Sequence, residues 1–425
     1  MRASRLGVAT AVALSVVMLA ACGRGDTTTD TDTSAAVTTI GSDAASGTIT
    51  VWAMGAEGEA LSDFVSTFED ANPDVTVEVT AIPWDSAHDK IQTAIAAGNG
   101  PDVAMIGTTW MAEFADAFAE VPSDLDLSDM FTSSVGTGEV DGTQVGVPWY
   151  VDTRVLYYRT DLAAEAGWDQ APTTWDDLYQ MASDMQALDS VDYGLRLYPS
   201  GTDAYVNSLW APMSAGASLT SDDGSEWTLD SDAMQEGFTY TSNYFTSGVA
   251  DVNASTEPGD VVADFVSGST PMFIDGPSLA AQIDELGGDG FDSQYTTAVL
   301  PVEDSGTSFI GGSNLTVFQD SDNPTSAWKL VQWLTEPDVQ ADWYTATTDL
   351  PASQSAWDEP ALSASDKLAA FGEQLNDTWA PPAVTTWSEV AAAGTTVLEK
   401  INRGTVSVAD GLAELQTQAE TIGMG

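Results

Sequence analysis

Few residues in this chain of 425 could do covalent chemistry. His88 is the only histidine and Cys22 the only cysteine. Any His-based triad would have to use His88, and no Gly-x-Ser-x-Gly turn is there to present a nucleophile. None of the four lysines, Lys90, Lys329, Lys367 and Lys400, follows a glycine, so there is no phosphate loop. The His and Cys needed for zinc are missing, as is an Asp-x-Asp-x-Asp-Gly calcium loop, and neither cofactor nor metal is expected. Carboxylates are plentiful: 65 Asp and Glu face 11 Lys and Arg, a formal charge of -54. Paired carboxylates can hydrolyse glycosides, but among so many acids no pair stands out. A secreted glycosidase therefore stays an alternative without a motif behind it, and the expectation is a protein that is not an enzyme.

Aromatic side chains offer a different chemistry, that of binding. The chain has 14 Trp and 11 Tyr. Trp84 follows Pro83, Trp110 comes just after Gly107, and Trp149 follows Pro148. All three stand where strands are expected to end, and in open α/β sheets ligands bind outside the carboxyl ends of strands. Flat rings suit the apolar faces of a sugar, and nearby Asp and Asn suit its hydroxyls, which both donate and accept. The adjacent Tyr157 and Tyr158 lie within an apolar strand and are expected to pack on its two faces. His88 is expected at the surface of a helix. The acidic charge argues against nucleic acid, because neutralising phosphates takes clustered cations.

The elements that must position these residues follow from periodicity. Ile49, Val51 and Ala53 alternate with polar or aromatic neighbours, as in a strand. Leu61, Phe64, Val65 and Phe68 share one face of a helix, which Pro73 stops. Val75 to Ala81 alternates again. A helix is expected from about Asp85 to Ala97, closed by Gly98, then a short strand over Pro101 to Ile106. Strand, helix, strand, helix, strand implies α/β architecture with a parallel sheet. Further on, Val155 to Arg159 reads as a strand. Thr174 with Asp177 forms a capping box opening a helix whose Leu178, Met181, Ala182 and Met185 are buried. Asn323 and Pro324 start another, with Leu330, Val331 and Leu334 inward. From Ala361 onward the pattern is mostly helical.

The N-terminus carries an address. Arg2 and Arg5 precede an uncharged apolar run from Leu6 to Ala21, which is shorter than the roughly 20 residues of a membrane span. Leu19-Ala20-Ala21-Cys22 then resembles the lipobox of bacterial lipoproteins, whose cysteine is lipidated after the signal is removed. Residues 1–21 are thus expected to be a signal peptide. Residues 22–47, rich in Thr, Asp, Ser, Ala and Gly, are expected to be a lipidated Cys22 and a flexible tether. The protein is expected outside the cytoplasm, held at the membrane by its lipid. About 380 residues remain, enough for two domains.

Several blocks in order make the chain similar to family 1 extracellular solute-binding proteins, the sugar receptors of ABC importers. They include Trp84-Asp85, Ala96-Ala97-Gly98-Asn99-Gly100-Pro101-Asp102-Val103, Gly146-Val147-Pro148-Trp149-Tyr150-Val151-Asp152 and Pro172-Thr173-Thr174-Trp175-Asp176-Asp177-Leu178. Phe265-Val266-Ser267-Gly268, Met272, Asp275-Gly276, Leu300-Pro301, Gly311-Gly312-Ser313-Asn314-Leu315 and Asp349-Leu350-Pro351-Ala352 continue them. The resemblance implies two α/β lobes of type II periplasmic-binding-protein kind, joined by several crossings and closing on a ligand. Chain order then gives lobe one as 48–149 plus 300–348 and lobe two as 150–299 plus 349–425. It implies a monomer that captures a mono- or oligosaccharide and delivers it to a membrane permease. A same-fold receptor for a polyamine, peptide or metal remains the alternative. Carried over by position, the site residues would be Glu57, Trp84, Asp85, Thr108, Thr109, Trp110, Trp149, Tyr150, Asp152, Trp210, Asp275, Gly311, Gly312, Ser313, Asn314 and Tyr344. Arg154 is expected to be a salt-bridge partner.

Overall fold

The computed structural model describes residues 37–201, 204–257 and 259–425. The signal peptide, Cys22 and most of the tether lie outside the described residues. The last tether residues do not run free. Ile40 is 3% exposed and its N–H donates to Asp124; Ala45 is buried, and its N–H donates to Asn72. Lys329 donates to the Gly41 carbonyl. The tether expected to reach residue 47 is therefore docked on the body from about Ile40, because two apolar side chains within it find cover.

The first βα units form as their patterns require. Strand β1 (Gly47–Met54) leads into helix α1 (Gly55–Phe64). Strand β2 (Val75–Ile82) is followed by α2 (Trp84–Ala97), which ends at Gly98 in the left-handed conformation. Strand β3 (Val103–Gly107) is wholly buried. β1 pairs with both β2 and β3 in parallel, so the three strands present their carboxyl ends on one edge. Ile49, Val51 and Ala53 face a core shared with Leu61, Val65 and Phe68.

The chain then crosses to a second sheet. β4 (Val147–Thr153) belongs to the first sheet and β5 (Val155–Arg159) to the second, with Arg154 alone between them. Helices α3 (Trp175–Gln186) and α4 (Asp232–Ser247) follow. Thr174 caps α3 by accepting the Asp177 N–H at 3.1 Å. Strands β6 (Met272–Asp275) and β7 (Tyr295–Ala298) flank β5, both antiparallel to it. β5 is packed on two faces. Tyr157 stacks on Phe273 at 4.6 Å, while Leu156 and Tyr158 share a cluster with Leu178 and Met181.

Strand β8 (Ser308–Val317) returns to the first sheet, antiparallel to β3 and β4. Helices α5 (Pro324–Leu334) and α6 (Pro337–Thr347) cover that sheet, and the short β9 (Leu350–Pro351) pairs with β4. α7 (Asp366–Gln374) packs on β5 and β7. β10 (Thr378–Trp379) pairs with the start of β8, and α8 (Trp387–Asn402) and α9 (Val408–Ile422) close the chain. The larger sheet runs β9-β4-β8-β3-β1-β2, with β10 attached to β8; the smaller runs β6-β5-β7.

The crossings lie side by side. The Ser308 hydroxyl donates to the Arg154 carbonyl at 2.8 Å, and Thr153 donates to the Phe309 carbonyl at 2.8 Å. The chain leaves the larger sheet at Arg154, later than the 149/150 boundary suggested by the sequence, because β4 goes on pairing with β8 through Thr153. β8 likewise rejoins that sheet only near 308, and β9 still belongs to it at 350–351.

Candidate functional site

Strand register brings the expected residues to one edge of the larger sheet. Glu57, Trp84 and Trp110 follow the carboxyl ends of parallel β1, β2 and β3. In the β8 register Ser313 lies opposite Gly107 and Gly311 opposite Asp152, so Phe309 projects past the end of β3. Leu350 lies opposite Val151, which sets Asp349 beside Asp152. On the smaller sheet Asp275 lies opposite Val155, next to Arg154.

Two cavities open along this edge and share Arg154. The larger holds about 620 Å³. Thr109 and Trp110 line it from the larger sheet, Phe309 and Arg154 from the crossings, and Asn207, Trp387, Ser388 and Thr395 from the helical layer. Its named walls hold no carboxylate. The smaller, about 240 Å³, is lined by Glu57, Tyr150, Asp152, Asp275 and Asp349 together with Arg154. Among the described residues the cleft is thus aromatic at one end, with Arg154 as its charged group, and acidic at the other.

Arg154 organises the acidic end. Its Nη1 lies 2.5 Å from Asp152 and its Nε 3.7 Å from Asp275, which join one sheet to the other through a single cation. Burial opposes its charge, but the carboxylates of Asp152 and Asp275 outweigh burial and hold its pKa above the ordinary value. Tyr198 donates its hydroxyl to Asp275. Tyr150 donates to Glu57 at 3.1 Å and accepts from Ser313 at 3.2 Å. Burial, with Glu57 and Asp349 nearby, pushes the Tyr150 phenol well up, so it stays a donor. Burial and the Glu57 carboxylate push Asp349 up to about 7, against hydrogen bonds from Thr347 and Trp343.

The aromatic rim rests on a glycine. Gly55 has φ +55°, and a Cβ there would meet the Trp84 indole nitrogen at 2.6 Å. Trp84, 39% exposed, touches Trp110 edge-on at 5.7 Å. His88 packs on Trp110 and shares a 2.8 Å contact with Glu113, at the half-exposed surface expected of it. Thr108 sits behind Thr109, in a small recess of about 20 Å³.

Several expected residues lie elsewhere. Trp149 is 0% exposed and stacks on Trp343 at 4.6 Å, so it belongs to the core. Strand alternation explains this: Trp149 faces inward next to a Tyr150 that faces the cleft. Trp210 is also buried, edge-on to Trp175 and Tyr240. Tyr344 packs with Trp357 on the small cluster of Ala341, Ala356 and Leu362, away from both cavities. Asp85 is exposed in the first turn of α2 and lines neither cavity. Gly311, Gly312 and Asn314 serve the sheet and not a ligand. Gly312 has φ +110°, and its backbone abuts the Tyr150 carbonyl, where a Cβ would come within 2.2 Å. Asn314 is buried and donates to Thr137 at 3.0 Å. Among the described residues, no three His, Cys, Asp or Glu side chains gather as a metal site would require.

Sequence reasoning missed Phe309, Asn207, Trp387 and Asp349. Trp387 looks like an ordinary helix start, and Phe309 like one more strand residue. Asp349 stood in a recognised block, Asp349-Leu350-Pro351, and its place before a strand that pairs with β4 was the available signal.

Two α/β layers bridged by adjacent crossings, with a cleft at the strand ends, define a two-lobed binding-protein fold. The sugar-binding protein MalE of Xanthomonas citri shares it, with a TM-score of 0.84 at 31% identity, over 88% of this chain and 97% of that one. A putative binding protein of Brucella abortus is 27% identical over 361 residues, 82% of this chain and 85% of its own length. A galactooligosaccharide-binding protein of Bacillus subtilis is 25% identical over 97% of this chain and 94% of its own. The profile of the bacterial extracellular solute-binding protein family matches residues 52–341, and the chain belongs to that family. Its family and fold are those of solute-binding proteins, not of enzymes.

Proposed function

We propose that this protein is the extracellular receptor of an ABC importer and that it captures a carbohydrate in the cleft without turning it over. The observation that carries the reading is the cleft itself: Trp110 and Phe309 line a chamber whose one charged residue among those described, Arg154, also borders the acidic end. Rings of this kind stack on the apolar faces of a sugar, while Glu57, Asp152 and Asp275 accept from its hydroxyls. The relatives, a MalE sugar-binding protein and a galactooligosaccharide-binding protein, favour the same ligand class. Lobe one is then 48–153 with 308–351, lobe two 154–307 with 352–425, and the crossings at Arg154 and Ser308 form part of the hinge. A sugar touching both lobes binds the closed form better and shifts the population toward it. The closed form is what a permease would recognise. Cys22 would carry the lipid that keeps the receptor at the membrane as a monomer.

Calorimetry against glucose, maltose, maltotriose, galactobiose and diacetylchitobiose tests the ligand class. Saturable binding of at least one is expected, with no new reducing ends released. Phe309→Ala or Trp110→Ala should weaken it about fivefold, in line with about 1 kcal/mol for an aromatic contact. If no sugar binds, the carbohydrate reading is wrong.

A further inference from the structure

The acidic end of the cleft holds more negative charge than its single cation can balance. Arg154 is taken by Asp152 and Asp275. Glu57 and Asp349 border the same cavity of about 240 Å³, and among the described residues no other Lys or Arg lines it. Their close partners are neutral: Tyr150 donates to Glu57 at 3.1 Å, and the Trp343 indole donates to Asp349 at 3.1 Å. The groups facing Asp349 come from every element around it. They are Glu57 on α1, Tyr150 and Asp152 on β4, Arg154 at the crossing, and Asp275 at the end of β6. Two half-buried carboxylates on one cavity, with its cation already taken by others, favour keeping one proton. Burial and Glu57 push Asp349 up to about 7, which agrees with that geometry.

We propose that Asp349 is a ligand-contacting residue of the cleft, that it holds a proton beside Glu57, and that this proton controls the capture of a neutral sugar. The inference rests on the reading of the cleft as a sugar site. Protonated, Asp349 offers a sugar an O–H donor beside the Glu57 acceptor. Ionised, the pair is two acceptors that repel each other. A neutral ligand filling the cavity displaces the water that solvates both carboxylates, so the bound form holds the proton more tightly than the free form. Capture therefore takes up a proton around and above neutral pH. Affinity is full below the free-state midpoint and falls as pH rises past it, by at most about tenfold per pH unit for one linked proton.

The proton can be read without any ligand. The indole N–H resonance of Trp343, assigned with Trp343→Phe, should titrate between pH 5 and 9 with a near-neutral midpoint. Asp349→Asn should abolish that titration, and Glu57→Gln should move the midpoint down by removing the repulsion. A resonance that titrates only below pH 5, or one that Asp349→Asn leaves unchanged, overturns the proton on Asp349. Should Asp349→Asn not fold, the Glu57→Gln shift decides in its place. Maltotriose is the ligand probe, titrated calorimetrically at pH 6 and pH 8 in two buffers of different ionisation enthalpy. Binding several-fold weaker at pH 8, with net proton uptake, is expected in the native protein, and a flat pH dependence in Asp349→Asn. Binding with proton release, or with no proton exchange, overturns the proposal. If maltotriose and every other sugar fail at both pH values, the sugar reading and the capture half of the inference fall together. The indole titration still decides the proton.

Discussion

Replacing Arg154 by Met keeps an unbranched stem of similar bulk and removes the cation on which the acidic end depends. With an effective dielectric near 20, unit charges at 2.5 Å and 3.7 Å attract by about 7 and 4 kcal/mol. Most of that gross attraction is offset by the desolvation of three ions. Removing one partner of a buried pair typically costs about 3–5 kcal/mol, because the other is left unpaired. The Arg154 side chain is 23% accessible and those of Asp152 and Asp275 are 32% and 18%, so water relieves part of the penalty. We expect a loss of about 2–3 kcal/mol for Arg154→Met at pH 7.5, measured by urea unfolding. The backbone bonds between Arg154 and Ser308 do not involve the guanidinium and should keep the crossing intact. Adding Asp275→Asn to Arg154→Met should recover roughly half of the loss by removing one orphaned charge. A loss below about 0.5 kcal/mol, the size of an exposed ion pair, would refute the claim that Arg154 holds the two sheets together.

Two further substitutions separate framework from site. Trp149→Ala should cost about 3–5 kcal/mol of stability, while the folded fraction keeps its sugar affinity in calorimetry; a selective loss of affinity would return Trp149 to the site. Gly312→Ala forces a Cβ against the Tyr150 carbonyl at a positive φ and should cost about 3 kcal/mol or more. Normal thermal stability in that variant would show that β8 and β4 approach less closely than described.

The sequence by itself determined the local elements and the address-like N-terminus. Alternation marked β1, β2 and β5, the capping box opened α3, and Gly98 closed α2, because these depend on contacts within a few residues. It also placed Glu57, Trp84 and Trp110 at strand ends, since parallel strands must deliver their following loops to one edge. Tertiary structure decided which aromatics meet a ligand. Trp149 and Tyr150 are neighbours in sequence, yet only strand pairing and the seat of α6 turn one onto Trp343 and the other toward the cleft. It also decided the charge of the site. Asp349 gains its company from the pairing of two-residue β9 with β4, a contact about 200 residues apart that no local pattern encodes. The docking of Ile40 on Asp124 follows the same logic: a tether-like composition gave no sign of the surface waiting to cover it.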